Sequence, residues 1–216
     1  SWGPSADYSN VSVRTTVNVT QAYPEIINIT CNNGEYLTLT PGSTETIVCN
    51  ISVRDFNGGS DVNQANGTFY FYLNQSSDPD DNNVHYTNAT CSQGTPNGYN
   101  VTWTCAFDVW YYANNGTWRA NFSVMDDYGM TASGYVNVTI SQLYALNVTT
   151  PIDFGNMAVG DTTTSAVQAN ITNFGNMNIN ISIYGFGGED EITGAGLAMI
   201  CEQRNITLPN ERFSLA

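Results

Sequence analysis

Eleven of the chain's fifteen Asn-x-Ser/Thr triplets carry Val, Ile or Phe in the middle position, as in Asn50-Ile51-Ser52, Asn121-Phe122-Ser123 and Asn137-Val138-Thr139. In a β-strand successive side chains point to opposite faces. An apolar residue between two polar ones therefore faces inward, while Asn and Ser/Thr face out. Repeated along a chain, that pattern demands half-buried strands. The triplet asparagines are Asn10, Asn18, Asn28, Asn50, Asn66, Asn74, Asn88, Asn100, Asn115, Asn121, Asn137, Asn147, Asn170, Asn180 and Asn205. Composition alone predicts about five such triplets, from 28 asparagines with 41 of 216 residues Ser or Thr. The excess marks them as N-glycosylation acceptors on an exposed surface. Most sit on strand faces by this reading, and the rest at turns such as Asn66-Gly67 and Asn115-Gly116.

Period-two alternation runs through the chain and no convincing helix interrupts it. Ile47, Cys49, Ile51 and Val53 share one phase, as do Phe69, Phe71 and Leu73. Val101, Trp103, Cys105, Phe107 and Val109 form the longest series, followed by Trp118–Val124 and then Val136, Val138 and Ile140. Asn57-Gly58-Gly59, Asn97-Gly98, Asn115-Gly116 and Asp127-Tyr128-Gly129 separate them as turns. That spacing predicts about seven strands between Tyr23 and Gln142, a Greek-key β-sandwich. A second unit is expected over 143–216, with Ile179, Ile181 and Ile183 in one phase and later strands at Leu197–Cys201, Ile206–Leu208 and Arg212–Leu215.

Charge excludes some functions. The chain has 5 basic residues, all Arg, against 19 acidic ones, a net charge of −14. A chain this acidic, without lysine, is expected not to bind nucleic acid through phosphate neutralisation. No apolar run approaches the roughly 18 residues of a membrane span, and no charged-then-apolar leader opens the chain. Ser1 is expected to be a mature or trimmed terminus.

Five cysteines form no CxxC or Cys/His cluster, which argues against zinc and for disulfides. Cys31 and Cys49 are symmetric about a turn at Pro41-Gly42, and Cys91 and Cys105 about Thr95–Gly98, so each pair could bridge neighbouring strands. An immunoglobulin-style inter-sheet bond, Cys49–Cys105, is the rival. Cys201 is left over.

The chemistry of an enzyme is thin. His85 is the one histidine, so no histidine triad or cage can be built, and it is expected to be an ordinary loop or strand residue. Asp108 and Glu189-Asp190-Glu191 are the candidate carboxylates for glycoside hydrolysis, without a motif. Gly185-Phe186-Gly187-Gly188 lacks the lysine of a phosphate loop. Asp78-Pro79-Asp80-Asp81, Asp55…Asp61 and Asp126-Asp127 could offer oxygens to calcium, though none matches an EF-hand. No metal ligand set is assigned. Tyr70, Tyr72, Trp110 and Tyr112 fall opposite the core phase and are expected at the surface, facing a partner or a carbohydrate.

Two segments carry a resemblance. Gly116-Thr117-Trp118 through Asp126-Asp127-Tyr128-Gly129 resembles the penultimate strand and turn of Ig-like surface domains. Ile152-Asp153-Phe154-Gly155, Val159-Gly160-Asp161 and Val167–Asn176 resemble an Ig-like repeat common in bacterial and archaeal surface proteins. As a whole the chain resembles archaeal secreted, cell-surface glycoproteins with tandem Ig-like domains. The resemblance implies an extracellular location and no particular reaction.

Asn10–Thr20 alternates like the closing strand of a sandwich, with Val11, Val13, Val17 and Val19 on one face, yet no sandwich precedes it in this sequence. The second unit has too few strands to close its own. Both problems vanish if the segment from one subunit completes the second sandwich of the next, which is donor-strand addition; the alternatives are that the segment folds back on either sandwich of its own chain, or that the sequence is a piece of a longer protein. The organisation expected is thus a donor arm (1–22), an Ig-like sandwich (23–142) and a smaller incomplete one (143–216). The function expected is that of a non-enzymatic, glycosylated, head-to-tail homopolymer on the cell exterior. The alternatives are an adhesin or carbohydrate-binding module, whose partners would be other cell surfaces or glycans, and an S-layer-type envelope component.

Overall fold

The computed structural model describes residues 21–32, 36–149, 155–156, 167–182, 197–199 and 206–207. All thirteen elements in it are strands. Nine of them build one two-sheet sandwich: β1 (Glu25–Cys31), β2 (Tyr36–Leu37), β3 (Thr44–Arg54), β4 (Val62–Phe71), β5 (His85–Asn88), β6 (Ser92–Gln93), β7 (Asn100–Trp110), β8 (Gly116–Asp126) and β9 (Thr131–Ile140). One sheet runs β1-β3-β7-β6 and the other β2-β9-β8-β4-β5. Neighbours are antiparallel, except that β2 lies parallel to the end of β9, with Tyr36 opposite Thr139 and Leu37 opposite Ile140. The chain changes sheet between β1 and β2, β2 and β3, β3 and β4, β5 and β6, and β7 and β8, so sequence neighbours alternate between layers.

The predicted phases account for the core. Ile47, Cys49, Ile51 and Val53 on β3, Val101 to Val109 on β7, and Trp118, Ala120, Phe122 and Val124 on β8 are all buried. Val138 and Ile140 on β9 join them. The centre is aromatic: Trp118 stacks on Phe69 with ring centroids 4.8 Å apart, and Phe107 contacts both Phe69 and Phe122. Offset and tilted pairs of this kind add about 0.5–1.5 kcal/mol each beyond area burial.

Asn66-Gly67 is not a turn. It lies in the middle of β4, with Gly67 opposite Phe122. Gly67 points inward, and a Cβ there would meet the Phe122 ring at 2.7 Å and Phe107 at 3.2 Å. The glycine makes room for two rings, and local turn propensity loses to that packing. Leu73 also departs from expectation. β4 stops at Phe71, and Leu73 is exposed beyond it.

Cys31–Cys49 and Cys91–Cys105 are disulfide-bonded. The rival inter-sheet bond fails for a geometric reason: Cys49 and Cys105 face each other on adjacent strands of a single sheet. The register places Cys31 opposite Cys49 and Cys49 opposite Cys105, and Cys91 bonds to Cys105 just before β6 begins. The four sulfurs thus form one row across the β1-β3-β7 sheet. Each bond closes a short loop and contributes about 3 kcal/mol by constraining the unfolded chain. Two disulfides fit an oxidising environment.

The chain divides into two compact units, Ser1–Met177 and Asn178–Ala216. The expected start of the second sandwich, residue 143, falls inside the first. Four residues explain why, Asn173-Phe174-Gly175-Asn176. The Asn176 side chain accepts from the Leu143 N–H (2.8 Å) and donates to the Ser141 carbonyl (3.1 Å). The Phe174 N–H donates to the Ala145 carbonyl (2.9 Å), and the Asn173 side chain bridges Gly175 and Met177. The Phe174 ring lies 5.6 Å from that of Tyr111, over Gly42, which turns with φ +68°. This clamp pins β10 (Leu146–Val148) and β11 (Ile171–Asn173), an antiparallel pair, near the end of the sandwich.

In the second unit β12 (Leu197–Met199) pairs with β13 (Ile206–Thr207). These bounds fall within two of the expected strands. Ile179 and Ile181 are described but lie outside any strand. The expected strand Arg212–Leu215, the donor valines, Ile183, Cys201 and Glu189–Glu191 lie outside the described residues.

Candidate functional site

Three surfaces could carry function. The first is the sequon face. Of the fifteen triplet asparagines, Asn10, Asn18 and Asn205 lie outside the described residues, and none of the other twelve is buried. Asn28 and Asn50 stand on the outer face of the β1-β3-β7-β6 sheet. Asn66, Asn121 and Asn137 stand on the outer face of the other sheet, opposite Ser123, Tyr135 and Arg119 respectively. Asn74 and Asn88 differ, because their side-chain amides already donate to Asp78 (3.3 Å) and to the Ala106 carbonyl (2.9 Å).

The second surface is β10–β11. Its apolar side chains point to solvent: Leu146 is 48% exposed and Val148 42%. A two-stranded ribbon is marginal alone, and an apolar ribbon face without a covering layer invites another strand. A second free edge lies on β9, which pairs with β2 only at Thr139 and Ile140. Residues 131–138 have no partner on that edge among the described residues, and a shallow cleft runs there between Ile26–Ile29 and Ser133–Val136.

The third surface is aromatic. Tyr72 is exposed, and Trp110 stacks on Tyr112 with centroids 5.8 Å apart. Tyr70 departs from expectation. It lies on the outer face but is buried, stacked on His85. His85 is itself buried on β5, its Nδ1 3.0 Å from Asp80 Oδ1. The 72–84 loop reaches β5 through Asp80 and Asp81, so an outward phase does not mean exposure there.

Next to this loop, Tyr86 donates its phenol proton to the Asn82 carbonyl (2.5 Å) and accepts from the Trp110 N–H (3.0 Å). Burial pushes its pKa up to about 12. The folded state therefore favours the protonated phenol. That contribution is complete below pH about 10 and disappears as pH climbs from 10 to 12. Tyr86→Phe should cost about 1 kcal/mol at neutral pH and flatten the alkaline fall in stability. Urea midpoints of both proteins between neutral and strongly alkaline pH check this, and parallel curves would refute it.

Among the described residues the candidate carboxylate Asp108 stands apart from any partner acid. Asp108 is exposed and accepts a hydrogen bond from Thr46 (2.6 Å). Among the described residues no group of three or more His, Cys, Asp or Glu converges as a metal cage, and no helix is long and apolar enough to cross a membrane. The acidic loop at residues 78–81 has its carboxylates engaged. Asp78 accepts from Gln75, Asp80 from Thr87, and Asp81 from Asn83, whose N–H holds the Asp81 carboxyl below the usual range. Compared with protein-family models, curated proteins and solved structures, the chain matches none.

Proposed function

We propose that the chain is the structural subunit of an N-glycosylated extracellular filament, joined head to tail by donor strands, and that it is not an enzyme. The carrying observation is the β10–β11 ribbon, whose Leu146 and Val148 stay half exposed although the clamp around Asn176 holds the ribbon in place. Residues 10–20 have the complementary pattern: Val11, Val13, Val17 and Val19 on one face, Asn10 and Asn18 on the other. A strand of that kind covers an apolar ribbon and keeps its sequons in solvent. The contact is heterologous, so it propagates into a fibre. Sequons on both outer faces support a sugar coat, and paired cysteines support an extracellular setting.

The strand order of the first sandwich supports its Ig-like reading. One sheet holds β1-β3-β7-β6, and the other holds a short parallel strand beside β9-β8-β4-β5, as in Ig-like domains. One observation favours a second reading. The free edge of β9 could take residues 10–20 of its own chain, giving a monomer. That monomer would act as an adhesin or carbohydrate-binding module through Tyr72, Trp110 and Tyr112. The deciding experiment compares the assembly state of the intact chain with that of a chain lacking residues 10–20: on the filament reading only the intact chain polymerises, and on the second reading both are monomers.

A further inference from the structure

The inner phases of two facing strands both end in aspartate. On β3 the series Ile47, Cys49, Ile51, Val53 continues to Asp55. On β8 the series Trp118, Ala120, Phe122, Val124 ends at Asp126. Position by position, the two carboxylates occupy the core face of opposite sheets at the same end of the sandwich. Both are buried, Asp55 at 0% exposure and Asp126 at 2%.

Each carboxylate has one oxygen committed. Asp55 Oδ1 accepts from Asn57 N–H (2.8 Å); Asp126 Oδ1 accepts from Tyr128 (2.9 Å) and Met130 (2.8 Å) N–H. The other oxygen of each, Oδ2, is enclosed and has no hydrogen-bond partner. Asp61 and Asp127 add charge at the same end, where the Asp127 N–H donates to the Asp61 carbonyl (2.9 Å). Burial pushes the Asp55 carboxyl up, and repulsion from Asp126 and Asp61 adds to that, against the Asn57 N–H. The adjacent cation does not compensate: Arg54 has the opposite phase and pairs with Glu25 at 2.7 Å. Buried carboxylates without a cation or donors are strongly unfavourable.

We propose that Asp55 and Asp126 bind a divalent cation of the calcium class between the β3–β4 loop and the β8–β9 turn. A hard cation takes six to eight oxygens and accepts main-chain carbonyls and water beside carboxylates, so two side-chain ligands are enough to seat it. Zinc sites are built mainly on His nitrogen and Cys sulfur, and neither Asp55 nor Asp126 has such a residue beside it in sequence. The one histidine pairs with Tyr70, eight residues along β4 from Val62, the partner of Asp126. The contrast with the 78–81 loop is one of burial: Asp80 and Asp81 stand in solvent, whereas Asp55 and Asp126 each enclose an oxygen that has no donor.

The site reaches the N-terminal segment. Asn57, whose N–H holds Asp55, accepts from Ala22 N–H (2.6 Å) through its side chain. A bound ion would fix this loop and with it the start of the arm. On the filament reading, and resting on it, the ion stiffens the joint where the donor strand leaves the body.

The test uses the full chain, stripped with a chelator and then melted with calcium or magnesium added back. Calcium should raise the unfolding midpoint by several degrees, half-saturating at about 0.1–1 mM, with magnesium much weaker. Asp55→Asn and Asp126→Asn keep the shape and the oxygen that accepts from backbone; each should lose the calcium shift, while Asp80→Asn keeps it. Terbium luminescence sensitised by tyrosine should report the same site. No calcium shift in the intact chain, or a shift that persists in the double variant, overturns the proposal. So does a third outcome: no response to calcium, with both Asn variants more stable at neutral pH, would mean that the two carboxyls share a proton. Fibre formation is read separately, so failure of the cation site and failure of the filament reading are distinguishable.

Discussion

A chain lacking Asn10–Thr20 is expected to stay monomeric, with its first sandwich unfolding at the same midpoint as in the intact chain. The nine strands of that sandwich run from Glu25 to Ile140 and enclose its described core. What is lost is the strand that covers a neighbour. Four valines buried on one face are worth about 1.5–3 kcal/mol each. Removing even half of that total weakens association by about two to four powers of ten. Val17→Asp with Val19→Asp should act in the same direction without shortening the arm, because it places two carboxylates on the face meant to be buried. Light scattering and electron microscopy read the outcome. Fibres from the deleted chain would show that residues 10–20 are not the donor.

Trp118→Ala is expected to be the most damaging single substitution in the first sandwich. The indole is fully buried, stacked on Phe69 at 4.8 Å, near Phe71 (6.1 Å) and Tyr86 (5.9 Å). Its Nε1 donates to the Asn114 carbonyl at 2.7 Å, fixing the turn into β8. Truncation leaves a cavity among three rings and an acceptor without a donor. Substitutions of this kind cost about 3–5 kcal/mol, against total stabilities of about 5–15 kcal/mol. Denaturant unfolding with both disulfides intact should show a large drop in midpoint. Trp118→Phe should recover most of the packing and lose the hydrogen bond, about 1 kcal/mol. A loss below that figure for Trp118→Ala would mean that the indole is not the centre of this core.

The sandwich was legible where alternation is long. β7 and β8 run eleven residues each, and every inward position expected from phase is buried. Short strands were not legible. His85-Tyr86-Thr87-Asn88 has no apolar alternation, and it is a strand because β4 offers it an edge. Asn66-Gly67 reads locally as a turn, but the glycine exists for Phe122 and Phe107. Tyr70 follows the outward phase, and a loop covers it. The disulfide pairs could be anticipated from symmetry about turns, whereas their alignment in one row depends on β3–β7 register, which spacing does not encode. The carboxylates of Asp55 and Asp126 could have been recognised as facing each other by extending the phases of β3 and β8 by one step. The Asn173–Asn176 clamp has no periodic signal at all, because it is made of side-chain bonds to a segment about 30 residues earlier.

Electron microscopy of the native, glycosylated material, averaged along any fibre, decides whether donor strands join the subunits. The account predicts a thin fibre with one subunit per repeat. Protruding density is expected at the outward sequons, with residues 10–20 as a strand laid on the neighbour's β10–β11 ribbon. Isolated particles, or residues 10–20 paired along β9 of their own chain, would contradict it.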